Sequence, residues 1–486
     1  VNHDDEAGII DAGGVDEIAV IPWSRLVRHR VANRIGLTRR VATLVVLLGS
    51  VFTVSFTITL LVVSLRTVAD DLGSTVSVMS WTITAPLLAF GVVGPAFGKA
   101  GDLWGHKRVF VGGLAFAGAF SLASAFSWDP LSLIAFRTLA AASGAATGPS
   151  AMAYINRLFE PDERMRPLGL WSFVTAGAPV IGVVAGAPLV ESFGWRVIFF
   201  AQAPLCLVAA LVARSRLRET ERASDVRFDV LGSATLGIGV GLVLLAVNRG
   251  NSWGWAAPET IGAAVVGAAF LAWFVRVERR ADDPLLPLRW LRTRNIVAPI
   301  ATIGLLNLAY MGSFILVPQL LESGLGYSPS RVGTLIIARP LVFSLVAPFA
   351  IYVVARVGER GAGVSGSIFS AIAIAVMMAV QSPGQDALVV LGLALTGLGM
   401  GIAAPSLTAL LASSVPTADM GVASAVQQLA AQLGAVFGGA LMVAVQDVTE
   451  SAGWTASYSW GLAVGVVGSL LAAVTAAQVR GGTLTR

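Results

Sequence analysis

The sequence predicts an all-α polytopic membrane protein of 14 transmembrane helices, arranged as two six-helix bundles with two extra central helices. Three observations carry that prediction. Hydrophobic residues make up 56% of the chain and charged residues 13%, and the mean hydropathy is +0.78, far from the balance of a soluble globular protein. The apolar residues gather into recurring runs with short polar breaks, each close to the ~20 residues a helix needs to cross about 30 Å of hydrocarbon. The runs are continuous rather than alternating, which excludes a closed β-barrel.

In chain order the spans read Thr43 to Leu65, Met79 to Phe97, Val109 to Phe126, Leu131 to Tyr154, Leu168 to Val190, Val197 to Ala213, Val230 to Val247, Ile261 to Val275, Ile296 to Val317, Gly333 to Val354, Ala362 to Gln381, Ala387 to Leu411, Gly421 to Val445 and Tyr458 to Val479. Charge tests that count. With both termini cytoplasmic, 27 of the 33 basic residues fall on inside segments, only Arg66, Arg196, Arg249 and Arg331 fall outside, and Arg137 and Arg339 lie within spans. The positive-inside bias therefore holds along the whole chain, and one missing or extra helix would invert it downstream. Arginine far outnumbers lysine, and alanine and glycine are abundant, the composition of a GC-rich bacterial genome.

The first forty residues are polar and arginine-bearing, without the pattern of a cleavable signal peptide. Residues 1 to 21 are acidic and lack apolar periodicity, which predicts disorder. From Pro22 to Arg40, Trp23, Leu26, Val27, Val31 and Ile35 recur at near-helical spacing among Arg25, Arg28, Arg30 and Arg34. This is the pattern of a helix lying on the inner leaflet, and topology alone asks for juxtamembrane arginines there; the alternative is a sensor or nucleic-acid role. The single cysteine, Cys206, has no partner for an internal disulfide and reads as a packing or lipid-facing residue. His3, His29 and His106 sit in terminal or loop segments without metal-ligand spacing, and no nucleophile stands with a base. Neither an enzyme nor a metal or cofactor site is predicted.

An internal repeat divides the chain. Span 2 ends in Pro95-Ala-Phe-Gly98, followed by Lys99-Ala-Gly-Asp102-Leu-Trp-Gly105-His-Lys107-Arg108; span 10 ends in Pro348-Phe-Ala, followed by Ala355-Arg356-Val-Gly358-Glu-Arg360. In both copies the proline precedes the loop glycine by ten residues, while Pro86 and Pro340 lie one residue out of that register. Two related bundles are implied. Spans 7 and 8 have no counterpart and are flanked by the charged stretches 214 to 229 and 276 to 295. The predicted partition is a cytoplasmic segment 1–40, a bundle 41–213, a linker with the two additional helices 214–295, and a bundle 296–480.

The loop from Gly98 to Arg108, with Asp102 as its acid and Lys107 and Arg108 as its basic pair, is similar to the signature loop of the major facilitator superfamily. Gly194-Trp-Arg-Val-Ile-Phe199, Asp283 to Asn295, Gly326-Tyr-Ser-Pro329, and Gly421-Val-Ala-Ser424 leading to Gln432-Leu-Gly434 resemble its fourteen-helix drug:proton antiporter branch. The resemblance runs from the first span to the last. It implies the major facilitator fold, a monomer in a bacterial plasma membrane, and export of hydrophobic or amphipathic small molecules with protons as the exchanged partner. Export would proceed by rocking of the two bundles about a midplane site among membrane lipids.

Departures from the branch are equally specific. Thr57 stands where the branch carries an aspartate in its first helix, Arg66 where the following run ends in proline, and Leu103 where the loop has arginine. Arg137 and Pro149 match the fourth-helix pattern, but Ala140 and Ala141 replace its glutamine-glycine pair. Gly182 and Gly186 match the antiporter signature of the fifth helix, with Val183 in one proline position and Pro179 four residues earlier. No acidic residue falls inside any span. This leaves two alternatives to proton-driven export: a transporter of lipids or other neutral or anionic amphiphiles with weak or no coupling, and a non-transporting scaffold or sensor.

The conformational candidates are Gly98, Asp102, Gly105, Lys107, Arg108, Gly182, Gly186, Arg356, Gly358 and Arg360. Asp102 is expected beside the start of span 11, near Ala362 to Val364, where the positive end of a helix dipole favours a carboxylate. The pathway candidates are Thr57, Trp81, Arg137, Trp171, Gln202, Asn307, Tyr310, Phe314, Gln428 and Gln432. Aromatic walls hold varied apolar cargo without a fixed hydrogen-bond pattern, whereas single amides either line a path or link helices. Arg137, costly by roughly 3 kcal/mol in hydrocarbon, needs a wet cavity or carbonyl partners. Arg339 is expected to snorkel outward on its long stem. Any coupling is expected at Asp102 or at the rim acids Asp70, Asp71 and Glu322.

Overall fold

A chain in hydrocarbon satisfies its backbone N–H and C=O groups within each segment, and every described element of the computed structural model is helical. The structure describes residues 39–56, 65, 67–79, 81–160, 163–220, 229–281, 284, 286, 290, 292–416 and 419–479. The amphipathic stretch from Pro22, Thr57 and most of the Asp283 to Asn295 motif lie outside them. The first half contains α1 (Arg39–Ser55), α2 (Trp81–Trp104), α3 (His106–Ala125), α4 (Pro130–Gly144), α5 (Thr147–Leu158), α6 (Met165–Phe193) and α7 (Val197–Arg216). The extra pair is α8 (Val230–Trp253) and α9 (Pro258–Glu278). The second half contains α10 (Arg294–Gln319), α11 (Pro329–Ile336), α12 (Ala338–Val346), α13 (Ala350–Met378), α14 (Asp386–Ser414), α15 (Met420–Val448) and α16 (Trp454–Ala477). Among the described residues, ten helical stretches are long and apolar enough to cross a membrane.

Two predicted spans are interrupted. Span 4 breaks between Gly144 and Thr147, just ahead of Pro149, into α4 and α5, and span 10 breaks at Ile337 into α11 and α12. The capping of α4 is local: the Asp129 side chain accepts from the Ser132 amide at 2.7 Å, and Ser132 Oγ lies 3.2 Å from the Asp129 amide, a reciprocal pair that satisfies donors a helix start would otherwise strand. The two copies of the internal repeat share their turn. Gly105 has φ 97° and Gly358 φ 71°, a left-handed conformation that a Cβ disfavours, so the glycine ten residues after each proline reverses the chain in both halves.

The described residues from Leu44 onward form one compact unit. Within that unit α2, α3, α4, α5 and α7 pack on one another, and α10, α13, α14, α15 and α16 do the same. The two groups meet along two seams, α2 and α5 against α15, and α6 against α12 and Ala347–Phe349. The repeat equates span 2 with span 10 and hence span 5 with span 13, so the two seams are one contact made twice. The extra helices pack on each other, and α8 leans on both α2 and α15 through Leu236, Val240, Leu244, Leu88, Val92 and Leu429.

The core is asymmetric between the two ends of the molecule. At the end carrying Asp102, one apolar cluster runs from Leu44, Leu47 and Phe110 through Ile155 and Leu168 to Ala350, Val354, Ala362 and Ala409, and so joins both halves. At the opposite end the clusters around Val68, Met79 and Trp195 and around Leu316, Leu321 and Tyr458 each stay within one half.

Candidate functional site

The signature loop is built into the seam. Gly98 on α2 lies so close to α15 that a Cβ there would stand 2.5 Å from the Gly421 carbonyl oxygen, and a Cβ on Gly421 would stand 3.0 Å from Asp102 Oδ1. Small residues let the two backbones meet. The neighbour of Asp102 is thus the first turn of α15 rather than the expected Ala362 to Val364. Ala362 instead lies in the apolar cluster between the halves, and the first turn of α15 supplies the positive helix end that a carboxylate seeks.

Asp102 is buried, and His106, fully buried, places Nε2 2.9 Å from Asp102 Oδ1. Asp102 Oδ2 and His106 Nδ1 are buried without partners. The segment after α7 holds the loop from outside: the Lys107 amide donates to Glu219 at 3.2 Å, Arg108 Nε lies 3.7 Å from Glu219 Oε2, and the His106 amide donates to Thr220 at 3.0 Å. In the second half, Arg356 and Arg360 are exposed on either side of Gly358, while Glu359 is buried. Gly182 and Gly186 lie in the helical backbone of α6. The second seam is held by Ser344, whose Oγ donates to the Phe173 carbonyl at 3.0 Å.

Arg137 and Arg339, the two arginines that the sequence places within spans, are both buried. Arg137 on α4 is 7% exposed; its Nε donates to the Thr82 carbonyl at 3.4 Å, and its guanidinium lies 5.5 Å from the centre of the Phe199 ring. Arg339 does not snorkel. It is 0% exposed, and both Nη groups donate to the Tyr310 carbonyl at 2.7 Å, with Ser313 Oγ at 3.0 Å from Nη2 and the Tyr310 ring centre 4.4 Å away. The break at Ile337 turns its stem into the bundle, where carbonyl oxygens and aromatic faces replace water.

The uncharged candidates divide. Gln202 links helices: Ser121 donates to its Oε1 at 2.8 Å and its Nε2 donates to the Thr53 carbonyl at 3.4 Å. Asn307 donates to the Ile303 carbonyl on its own helix at 2.9 Å. Gln428 and Gln432 face the seam, since Cβ atoms on Gly148 and Gly91 would stand 2.8 Å from Gln428 Oε1 and 3.2 Å from Gln432 Cβ. Trp171 packs half-buried on the apolar cluster, Tyr310 is buried, Phe314 is 36% exposed, and Trp81 lies beneath Arg249. Cys206 is buried 3.7 Å from Thr53 Oγ1, a packing role. At the rim, Asp71 takes Arg196 Nη1 at 2.5 Å and Trp195 Nε1 at 3.1 Å, and Arg196, then Trp195, hold its carboxyl below the usual carboxylate range.

This arrangement, two helical halves that meet at paired seams with a charged loop locked into one of them, is that of a membrane transporter. Residues 45–229 and 230–439 match the family model of the Major Facilitator Superfamily, and the chain belongs to that superfamily. It is 32% identical over 429 residues to the puromycin resistance protein pur8 of Streptomyces alboniger, covering 86% of this chain and 83% of that one. It is 28% identical over 403 residues to the tetracenomycin C resistance and export protein of Streptomyces glaucescens, covering 82% and 74%. In fold it is similar to the human organic anion transporter MFSD10 (TETRAN), with a TM-score of 0.64 and 17% identity over 90% of this chain and 99% of that one.

Sequence reasoning passed over His106, Glu219 and Arg249. His106 is one residue past the loop glycine and four from Asp102, a spacing that places two residues on one helix face, so its pairing had a signal. Glu219 and Arg249 reach their partners only through the packing of distant helices.

Proposed function

We propose that the protein exports neutral or anionic amphiphilic small molecules across a bacterial plasma membrane by rocking of its two bundles, with the Asp102 end cytoplasmic. The observation that carries this reading is the sign of the buried charge. Arg137 and Arg339 are buried along the spans, while the buried carboxylates Asp102, Glu278 and Glu359 stand at helix ends and connections. A buried cationic cargo requires an opposite charge, and among the described residues the middle turns of the spans offer it none; an apolar or anionic group meets aromatic faces and cationic side chains there. The names of the relatives, which speak of resistance and export, support the direction. The excess of basic residues on the Asp102 side supports the orientation, and the lack of a counterpart for α8 and α9 in the repeat supports the six, two and six partition.

Proton coupling in this reading runs through Asp102 or the rim acids Asp70, Asp71 and Glu322. Thr57 in place of the first-helix acid favours a second reading, in which the substrate equilibrates without coupling. Purified protein in liposomes with an imposed pH gradient tests both. Uptake of a fluorescent carboxylate amphiphile should exceed that of ethidium, and its response to the gradient separates coupled from uncoupled transport. Strong gradient-driven ethidium transport that survives neutralising Asp102, Asp70, Asp71 and Glu322 together would show that the reading is wrong.

A further inference from the structure

A further buried cation belongs to the extra helix pair. Arg249, in the last turns of α8, is 8% exposed, and its guanidinium lies 3.8 Å from the centre of the Trp81 ring at the start of α2. Its Nε and Nη2 are buried without hydrogen-bond partners. No described ion pair includes it: those join Asp102 to His106, Arg108 to Glu219, Arg196 to Asp71 and Arg331 to Asp386. Arg339 makes the contrast plain, because it gives both Nη groups to protein acceptors.

The identity of the two orphan atoms matters. Nε–H and the Nη2–H beside it lie along one edge of the planar guanidinium and point the same way, at the spacing of two oxygens of a carboxylate or phosphate. Buried donors left unmade are costly and ask for a partner. The location says which kind. Trp253 and Trp255, 42% and 44% exposed, stand in and just after the last turn of α8, and a Cβ on Gly250 would meet the Trp255 ring at 2.7 Å, so this ring packs on the turn that carries Arg249. Exposed tryptophans at a helix end mark the level of lipid headgroups.

We propose that Arg249, stacked on Trp81, is a binding site for the oxyanion headgroup of an anionic amphiphile, a carboxylate or phosphate, at the end of the α8–α2 junction opposite Asp102. The headgroup fills the Nε–Nη2 edge while its chain stays in the surrounding hydrocarbon. Because α8 leans on both α2 and α15, an occupied site sits where the extra pair meets the moving seam. The site stands whether or not the bundles export their cargo against a gradient, and its test is an equilibrium measurement without one.

Native mass spectrometry of the detergent-purified protein reads it. With phosphatidylglycerol, laurate and phosphatidylcholine as probes, the wild type should retain phosphatidylglycerol in preference to the zwitterion, and Arg249→Gln should lower that retention about tenfold. Arg249→Lys, which keeps the charge and loses the fork, should lower it roughly threefold and guards against a folding failure of the first variant. Arg196→Gln, a basic residue outside the spans and paired with Asp71, should leave it unchanged. Laurate that displaces the lipid from the wild type marks a site open to single-chain carboxylates, whereas lipid binding alone marks a phospholipid site; each supports an oxyanion pocket. Wild-type retention in both Arg249 variants, each monodisperse, overturns it.

Discussion

Arg339 illustrates how a single buried guanidinium can be both legible and misread. The sequence marks it as a charge within a span, but its rotamer and the break at Ile337 depend on packing, and these direct it inward to Tyr310 and Ser313. Arg339→Ala would remove both guanidinium donors from the Tyr310 carbonyl, which keeps Ser313 Oγ at 3.1 Å, and open a cavity beside Tyr310, a loss of roughly 3 kcal/mol. The unfolding midpoint in detergent should fall by several degrees, and Arg339→Lys should fall nearly as far because an ammonium has no fork; unchanged midpoints would mean that the carbonyl contacts are unimportant. Asp71 gives a smaller and pH-bound effect. Its folded-state carboxyl lies below the ordinary value of about 3.9, so its pairing stabilises the protein at every pH above that value and is lost as pH falls through the folded value. The pair is largely exposed, and its worth is at most about 1 kcal/mol. Asp71→Asn should therefore lower the midpoint slightly and equally from about pH 5 to 8, with the difference closing only below about pH 3; a difference that instead grows on acidification would rule out this linkage.

Helices are the level at which the sequence reads best, because a continuous apolar run of bilayer length admits few other structures. The repeat of Pro95 and Gly105 in Pro348 and Gly358 also reads directly, and both glycines take the left-handed turn. What the sequence hides is where helices break and which faces touch, since the gaps at Gly144 and Ile337 and the seam at Gly98 are set by neighbours far along the chain. Asp102 was readable as the acid of the loop, but its partner element was not, because its docking on α15 is decided by the backbone approach of Gly98 to Gly421. Gly98→Ala tests that approach. The added methyl would stand 2.5 Å from a backbone oxygen, which has no side chain to rotate away, so α2 and α15 must separate at the Asp102 end. Spin labels at the exposed positions Arg166 and Ala355 should report a longer and broader distance distribution in the variant than in the otherwise wild-type protein. An identical distribution would show that the close approach does not set the state of the seam.

At the scale of the whole molecule, the apolar cluster at the Asp102 end joins both halves while the clusters at the other end do not, so this structure is sealed at one end. Opening that end has to separate α2 from α15 and α6 from α12 together, since the repeat makes the two seams equivalent. It must then expose Asp102, which sits buried beside the first turn of α15 with His106 as its side-chain partner. A charged carboxylate at a helix start is worth about 0.3 to 1 kcal/mol, and more where partly buried, which is enough to shift a balance of two conformations severalfold. Asp102→Asn keeps the shape of the side chain but removes that charge, and so should move the population away from the sealed state and slow transport in liposomes. His106→Gln should act in the same direction and more weakly, because it removes the paired imidazole but leaves the carboxylate facing α15. Distances between labels at Arg166 and Ala355, measured alongside the transport rate, check both variants. If Asp102→Asn leaves the distance distribution and the rate as they are in the wild type, the carboxylate is not a latch, and the sealed end is held by apolar packing alone.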